Sequence, residues 1–247
     1  MTEGTYTPPP AAPPPPPPPA SGTTSQYDFV RPFAFVFQDP NWVTKVLIGG
    51  LFYIAAFLII GIFFLTGYCA RLARNVINGE AQPLPDWSDL GGFFAEGLRI
   101  VGVVILYILP FIAIVSVVVI PAALLGSSDN HVFEQLSGGM FAGVWCLMFP
   151  LGLMLSFWIP GALLMCVAEE RFSAAFDFAR IWTFIRGNIG NYLLAYVIYL
   201  VARFAAPLGL LLFCVGIIFT VFWSMLVATY AFAQTYRLSR TTAVVPR

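Results

Sequence analysis

Four long stretches nearly free of charge constrain this chain more than anything else in it. Residues 46–68, 100–125 and 140–168 contain no Asp, Glu, Lys or Arg, and 192–232 contains only Arg203. A bilayer's hydrocarbon core is about 30 Å thick and takes about 20 helical residues to cross. Backbone groups in lipid must also be paired within the segment itself, which a helix achieves. Each of the first three runs is therefore read as one crossing, and 192–232 as two, with a tight turn near 207–209 or 214–216. Composition agrees: 59% of the 247 residues are hydrophobic and 10% charged, against about a quarter charged in soluble domains. The expected fold is an all-α integral membrane protein with about five transmembrane helices, plus amphipathic interfacial helices and a disordered proline-rich N-terminal tail.

The expected divisions are a tail over 1–27, a helical membrane domain over 28–237 and a short basic C-terminal tail over 238–247. Pro8–Pro10 and Pro13–Pro19 leave the first segment only polyproline II or disorder, because proline fixes φ and removes a backbone donor. Phe29, Phe33 and Phe37 then recur every four residues beside Arg31, the pattern of a short helix lying in the interface. Trp42 and Lys45 are expected at headgroup depth.

Residues 67–97 form a charged, turn-rich loop. Arg71, Arg74 and Asn75 continue at helical spacing past the first run, and Asn78-Gly79 supplies a helix stop. Pro83-Leu84-Pro85 holds the chain extended, because each proline bars the residue before it from the α region. Asp86 is then expected to cap a flat helix with Trp87, Leu90, Phe93 or Phe94, and Leu98 on one face. The run Gly67-Tyr68, Arg71, Arg74, Gly79-Glu80, Pro83-Leu84-Pro85, Trp87, Asp89, Gly91, Phe94 and Gly97, preceded by Asp39, Trp42, Lys45 and Gly49, resembles a prokaryotic membrane family catalogued as domain of unknown function 4013. The resemblance covers about 29–237, departs slightly at Pro40, and implies a fold and a membrane location but no catalytic residues. Arg71, Arg74, Glu80, Pro83, Pro85, Trp87 and Asp89 are accordingly the candidate functional loop.

Farther along, Pro110 and Pro121 are structural kinks or a hinge. His131 and Glu134 have metal-compatible spacing without further strong ligands, so no metal or other cofactor is expected. The cysteines at 69, 146, 166 and 214 are scattered singly and read as apolar packing residues, with Cys69 at a boundary where acylation is an alternative. Phe172, Ala175, Phe178 or Ala179, Trp182, Ile185 and Ile189 define a second interfacial helix. The lead from 184–188 into an apolar run parallels that from 37–41, a degenerate repeat of flat helix then membrane helix. The repeat would need the first run to be a re-entrant hairpin; one crossing is expected instead. Arg203, the candidate intramembrane charge, either snorkels near the outer turn or contacts an anion or lipid headgroup.

Arginines cluster in 69–99, 169–191 and the C-terminus, and no Lys or Arg lies in 126–139. The positive-inside rule puts those three regions in the cytoplasm of a cell-membrane protein, with the N-terminal tail outside. The twelve basic and twelve acidic residues balance, so no nucleic-acid partner is expected. No catalytic motif is present, and the chain is not expected to be an enzyme. Two functions remain open: a non-catalytic scaffold or accessory subunit that contacts the lipid bilayer and other membrane proteins or itself, and a small transporter or channel.

Overall fold

A computed structural model describes residues 27–126, 131–211 and 216–244, with side chains described for 27–124, 135–211 and 216–241. The expected proline-rich tail before Tyr27, the side chains of His131 and Glu134, Cys214 and the last residues of the C-terminal tail lie outside this description. Among the described residues every regular element is helical.

The chain begins with a four-residue helix, α1 (Arg31–Ala34), continued by a 3-10 turn over Phe35–Gln38. The Asp28 carboxylate accepts the N–H groups of Val30 and Arg31, and Pro32 occupies the first turn, where its missing N–H costs nothing. Asp39 is extended, as the residue before a proline must be, and the chain turns by 106° into α2 (Trp42–Ala55). Of the expected phenylalanine stripe, Phe29 and Phe37 are exposed, while Phe33 is half-buried with its ring 6.1 Å from Trp223. Phe35 and Val36 are buried instead, Phe35 stacking on Tyr230 at 4.5 Å.

The first apolar run is not one crossing. A 3-10 turn over Ala56–Leu58 and Ile59, at φ 67°, reverse α2 into α3 (Ile60–Asn78). Phe52 stacks on Phe64 at 4.8 Å, and a Cβ on Gly61 would collide with the Phe52 carbonyl, so the two helices form an antiparallel hairpin. Its two ends meet at the 83–87 strap, where Lys45 and Tyr68 donate to neighbouring carbonyls. No proline or pair of turn residues marks the reversal; packing of both helices against the last helix decides it.

Gly79 ends α3 in the left-handed region as expected, with the Glu80 N–H reaching back to the Asn75 carbonyl. There is no separate flat helix: Asp89, not Asp86, caps a single 37-residue helix, α4 (Leu90–Gly126), through the Gly92 N–H. That helix continues through Pro110 and Pro121. It packs antiparallel to α5 (His131–Glu169), 39 residues long with Pro150 and Pro160 inside it. At 1.5 Å per residue each is roughly 55 Å long.

Phe172–Phe176 is a 3-10 turn, and Asp177 caps α6 (Phe178–Gly187) by accepting the Arg180 N–H. The cap interrupts the expected continuous face: Ile181, Phe184 and Ile185 are buried, while Phe178 and Trp182 are exposed. A third hairpin closes the fold. In it α7 (Ile189–Ala205) and a 3-10 segment, Ala206–Leu211, precede α8 (Gly216–Val244), with Thr235 donating to the Asn191 carbonyl at one end and Thr220 to the Ala206 carbonyl at the other.

Three antiparallel hairpins, α2/α3, α4/α5 and α7/α8, thus bring their charged ends together. Among the described residues five helices are long and apolar enough to cross a membrane, matching the expected number: Ile60–Asn78, Leu90–Leu124, Gln135–Glu169, Ile189–Leu211 and Gly216–Thr241. Counting the bent pair before Ile59 as one more gives six. The pairing in hairpins puts Tyr27, which donates to the Ala231 carbonyl, at the same end as the 79–89 loop, not at the opposite end.

Candidate functional site

The prolines of the 83–85 segment supply no N–H, so its carbonyls have no local partners and must find donors elsewhere. Side chains from the first hairpin provide them in succession. Asn75 Nδ2 donates to the Pro83 carbonyl (2.9 Å), Lys45 Nζ to Leu84 (3.0 Å) and the Tyr68 hydroxyl to Pro85 (2.8 Å). The loop is held as an extended strap across the open ends of α2 and α3.

Lys45 is buried and pairs with Asp39 at 2.7 Å and Asp86 at 2.8 Å, so its three ammonium protons face three acceptors. Asp39 is also buried and accepts the Asn41 N–H. Headgroup exposure was expected for Lys45, but the strap covers it. Trp87 lies against α2 and α3. Its indole stacks on Tyr68 at 4.2 Å and Phe52 at 4.9 Å, and its Nε1 donates to the Lys45 carbonyl.

A second charged layer joins α3 to α4 and α5. Arg71 pairs with Asp89 at 2.8 Å and Glu96 at 2.9 Å, its guanidinium lying over the Phe93 ring; Arg74 pairs with Glu96 at 3.1 Å and Glu170 at 3.0 Å. Arg99 donates to the Glu170 carbonyl, and Glu169 pairs with Arg171 and Arg180. The Arg71 hydrogen bond, followed by that from the Gly92 N–H, holds the exposed Asp89 carboxyl below its usual range. Of the sequence candidates, Arg71, Arg74, Pro83, Pro85, Trp87 and Asp89 come together here; Glu80 is exposed and contributes its backbone N–H. Sequence reasoning missed Lys45, Asp39 and Glu96 as members of the cluster, although Asp39 and Lys45 stood in the family pattern. Among the described residues no three His, Cys, Asp or Glu side chains converge as a metal site would require.

Arg203 stands apart. It is exposed on α7, twelve residues or roughly 18 Å beyond Asn191, and makes no ion pair or hydrogen bond among the described residues. It lies on the wall of a half-open cavity of about 460 Å³ lined by α3, α5, α7 and α8, with Ile100 of α4. The remaining wall is mostly apolar: Ala70, Leu163, Val167, Met225 and Phe232 contribute to it, with Cys69 beside them.

Long apolar helices paired in hairpins, tied at one end by ion pairs of which Lys45–Asp39 is buried, make a polytopic helical protein with the length and apolarity to cross a membrane several times. The family described as Protein of unknown function (DUF4013) matches residues 50–215, and this chain belongs to it. No curated protein and no solved structure matches the chain.

Proposed function

We propose that this chain is a non-catalytic, multi-pass module of the cell membrane that serves as a scaffold or accessory subunit of a larger membrane assembly. The observation that carries the reading is the fate of the loop's charged groups. Lys45, Arg71 and Arg74 pair with Asp39, Asp86, Asp89, Glu96 and Glu170, so they serve to lock the α2/α3 hairpin to its strap and to the α4/α5 hairpin rather than to meet a substrate. Such a lock gives a rigid base from which α4 and α5 extend. Leu90–Leu124 is the least enclosed of the five long helices, and its outward face suits contact with lipid, another membrane protein or a second copy. Apart from Arg203, the described basic side chains belong to the end that carries the two charged loops, and the positive-inside rule assigns that end to the cytoplasm. Nucleic acid is not among the proposed partners.

Purification in mild detergent, with identification of what accompanies the chain, tests the proposal. A stoichiometric partner or a stable homo-oligomer is the expected result; a lone monomer that catalyses solute flux in proteoliposomes would replace it with the second reading. That reading, a small transporter or channel, is favoured by one observation: a cavity with an unpaired arginine on its wall.

A further inference from the structure

We infer that the cavity between α3, α5, α7 and α8 holds an acyl chain of an anionic phospholipid whose phosphate is bound by Arg203. The inference rests on the membrane placement proposed above and on nothing about protein partners. An open pocket of about 460 Å³ falls within the range of small-molecule sites, about 300–1,000 Å³.

The chemistry of the wall selects the occupant. The hydroxyls of Thr66, Ser224 and Thr229 line the cavity, yet each already donates to a carbonyl of its own helix, at Ile62, Val221 and Met225. They therefore require no polar ligand, and the interior suits hydrocarbon. Arg203 demands the opposite. Its five N–H donors have no protein acceptor among the described residues, and an unpaired charge among lipid chains is costly. A phosphate diester meets both demands, because its oxygens take paired hydrogen bonds from a guanidinium while its acyl chains begin a few bonds away. Arg203 is three residues before the 3-10 segment that reverses α7 into α8. That places it toward the leaflet opposite the charged loops, close enough for its long side chain to meet a headgroup there. Its exposure leaves room for the glycerol and second chain outside the cavity. A zwitterionic lipid would bring an ammonium to the same guanidinium, so the site discriminates by charge.

Cys69 on the cavity wall supplies a reporter. In the full-length protein carrying Cys146→Ser, Cys166→Ala and Cys214→Ala, purified in a neutral detergent, phosphatidylglycerol should raise the thermal midpoint and slow alkylation of Cys69 by a maleimide. Phosphatidylcholine at equal concentration should do neither. Arg203→Gln, at an exposed position that tolerates an amide, should raise the half-saturating phosphatidylglycerol concentration by about tenfold or more, as loss of a charged hydrogen bond implies; Arg203→Lys should keep part of the preference. Equal effects of the two lipids, or an Arg203→Gln protein that responds as the parent does, would overturn the site. Protection by oleate without protection by phosphatidylglycerol would reassign it to a free fatty acid and overturn the phospholipid. A chain that resists carbonate extraction from membranes yet ignores phosphatidylglycerol loses this site alone, whereas a chain released by carbonate loses the membrane placement.

Discussion

Gly67 and Gly97 are the points at which α3 and α4 touch backbone to backbone. A Cβ at Gly67 would meet the Phe93 carbonyl and one at Gly97 the Phe63 carbonyl. Gly67→Ala and Gly97→Ala should therefore each lower stability by about 1–3 kcal/mol, the range for overpacking a contact that cannot yield. Gly91, with nothing within 4 Å, is the control. Gly91→Ala should leave the thermal midpoint in detergent unchanged or raise it, because alanine favours the helix by up to about 1 kcal/mol. Lys45 is the second sensitive residue. Lys45→Met removes the partner of a buried Asp39, a change worth about 3–5 kcal/mol when an ion is left uncompensated; adding Asp39→Asn should recover part of the loss in the same melt. Asp89 gives a pH dependence. Its carboxyl titrates below the ordinary 3.8 in the folded chain, so its contribution is present above that value and disappears as pH falls through the lower folded one. An acid titration of stability should show this loss in the parent and not in Asp89→Ala. Both glycines, with Arg71, Arg74 and Asp89, stood in the run that resembles the family. Their partners were not legible there, because pairing across 18 residues for Arg71 and Asp89 or 96 for Arg74 and Glu170 depends on how the hairpins meet.

Helix boundaries followed local signals wherever a turn residue or a cap was present. Asn78-Gly79 stops α3 and Asp177 caps α6, both from residues whose side chains or φ preferences act within one turn. The cap was expected at Asp86, which instead pairs with Lys45, and Asp89 three residues on caps α4. The reversal at Ile59 carries no signal at all. A β-branched residue at φ 67° is a costly conformation that persists only where packing over-determines it. Ile59→Gly should relieve it and, Ile59 being exposed, stabilise the hairpin by about 1 kcal/mol after the entropic cost of glycine. A melting temperature lower than the parent's would show that the isoleucine side chain contributes more than the strain costs.

Hairpin pairing predicts the topology of the whole molecule. Single cysteines at Gln38 and Ser88 should label with an impermeant thiol reagent from one and the same side of a sealed membrane, and neither from the other; opposite-side labelling would restore the single first crossing. The degenerate repeat legible at 37–41 and 184–188 has its geometric counterpart here, for each lead-in turns into a hairpin. By itself the sequence determined that the chain is helical, that it has about five helices long enough for a bilayer, and that its basic residues gather in two loops and the C-terminal region. These properties follow from summed apolarity and from charges that cannot enter lipid, which act residue by residue wherever the chain goes. Tertiary structure alone decided that residues 46–68 turn back on themselves, that Trp87 and Lys45 lie under a strap, and that Arg203 borders a cavity. Each of those depends on which helix faces which, a choice among surfaces of equal hydrophobicity that is made by close contacts at glycines, by aromatic stacking and by complementary charges between segments far apart in the chain.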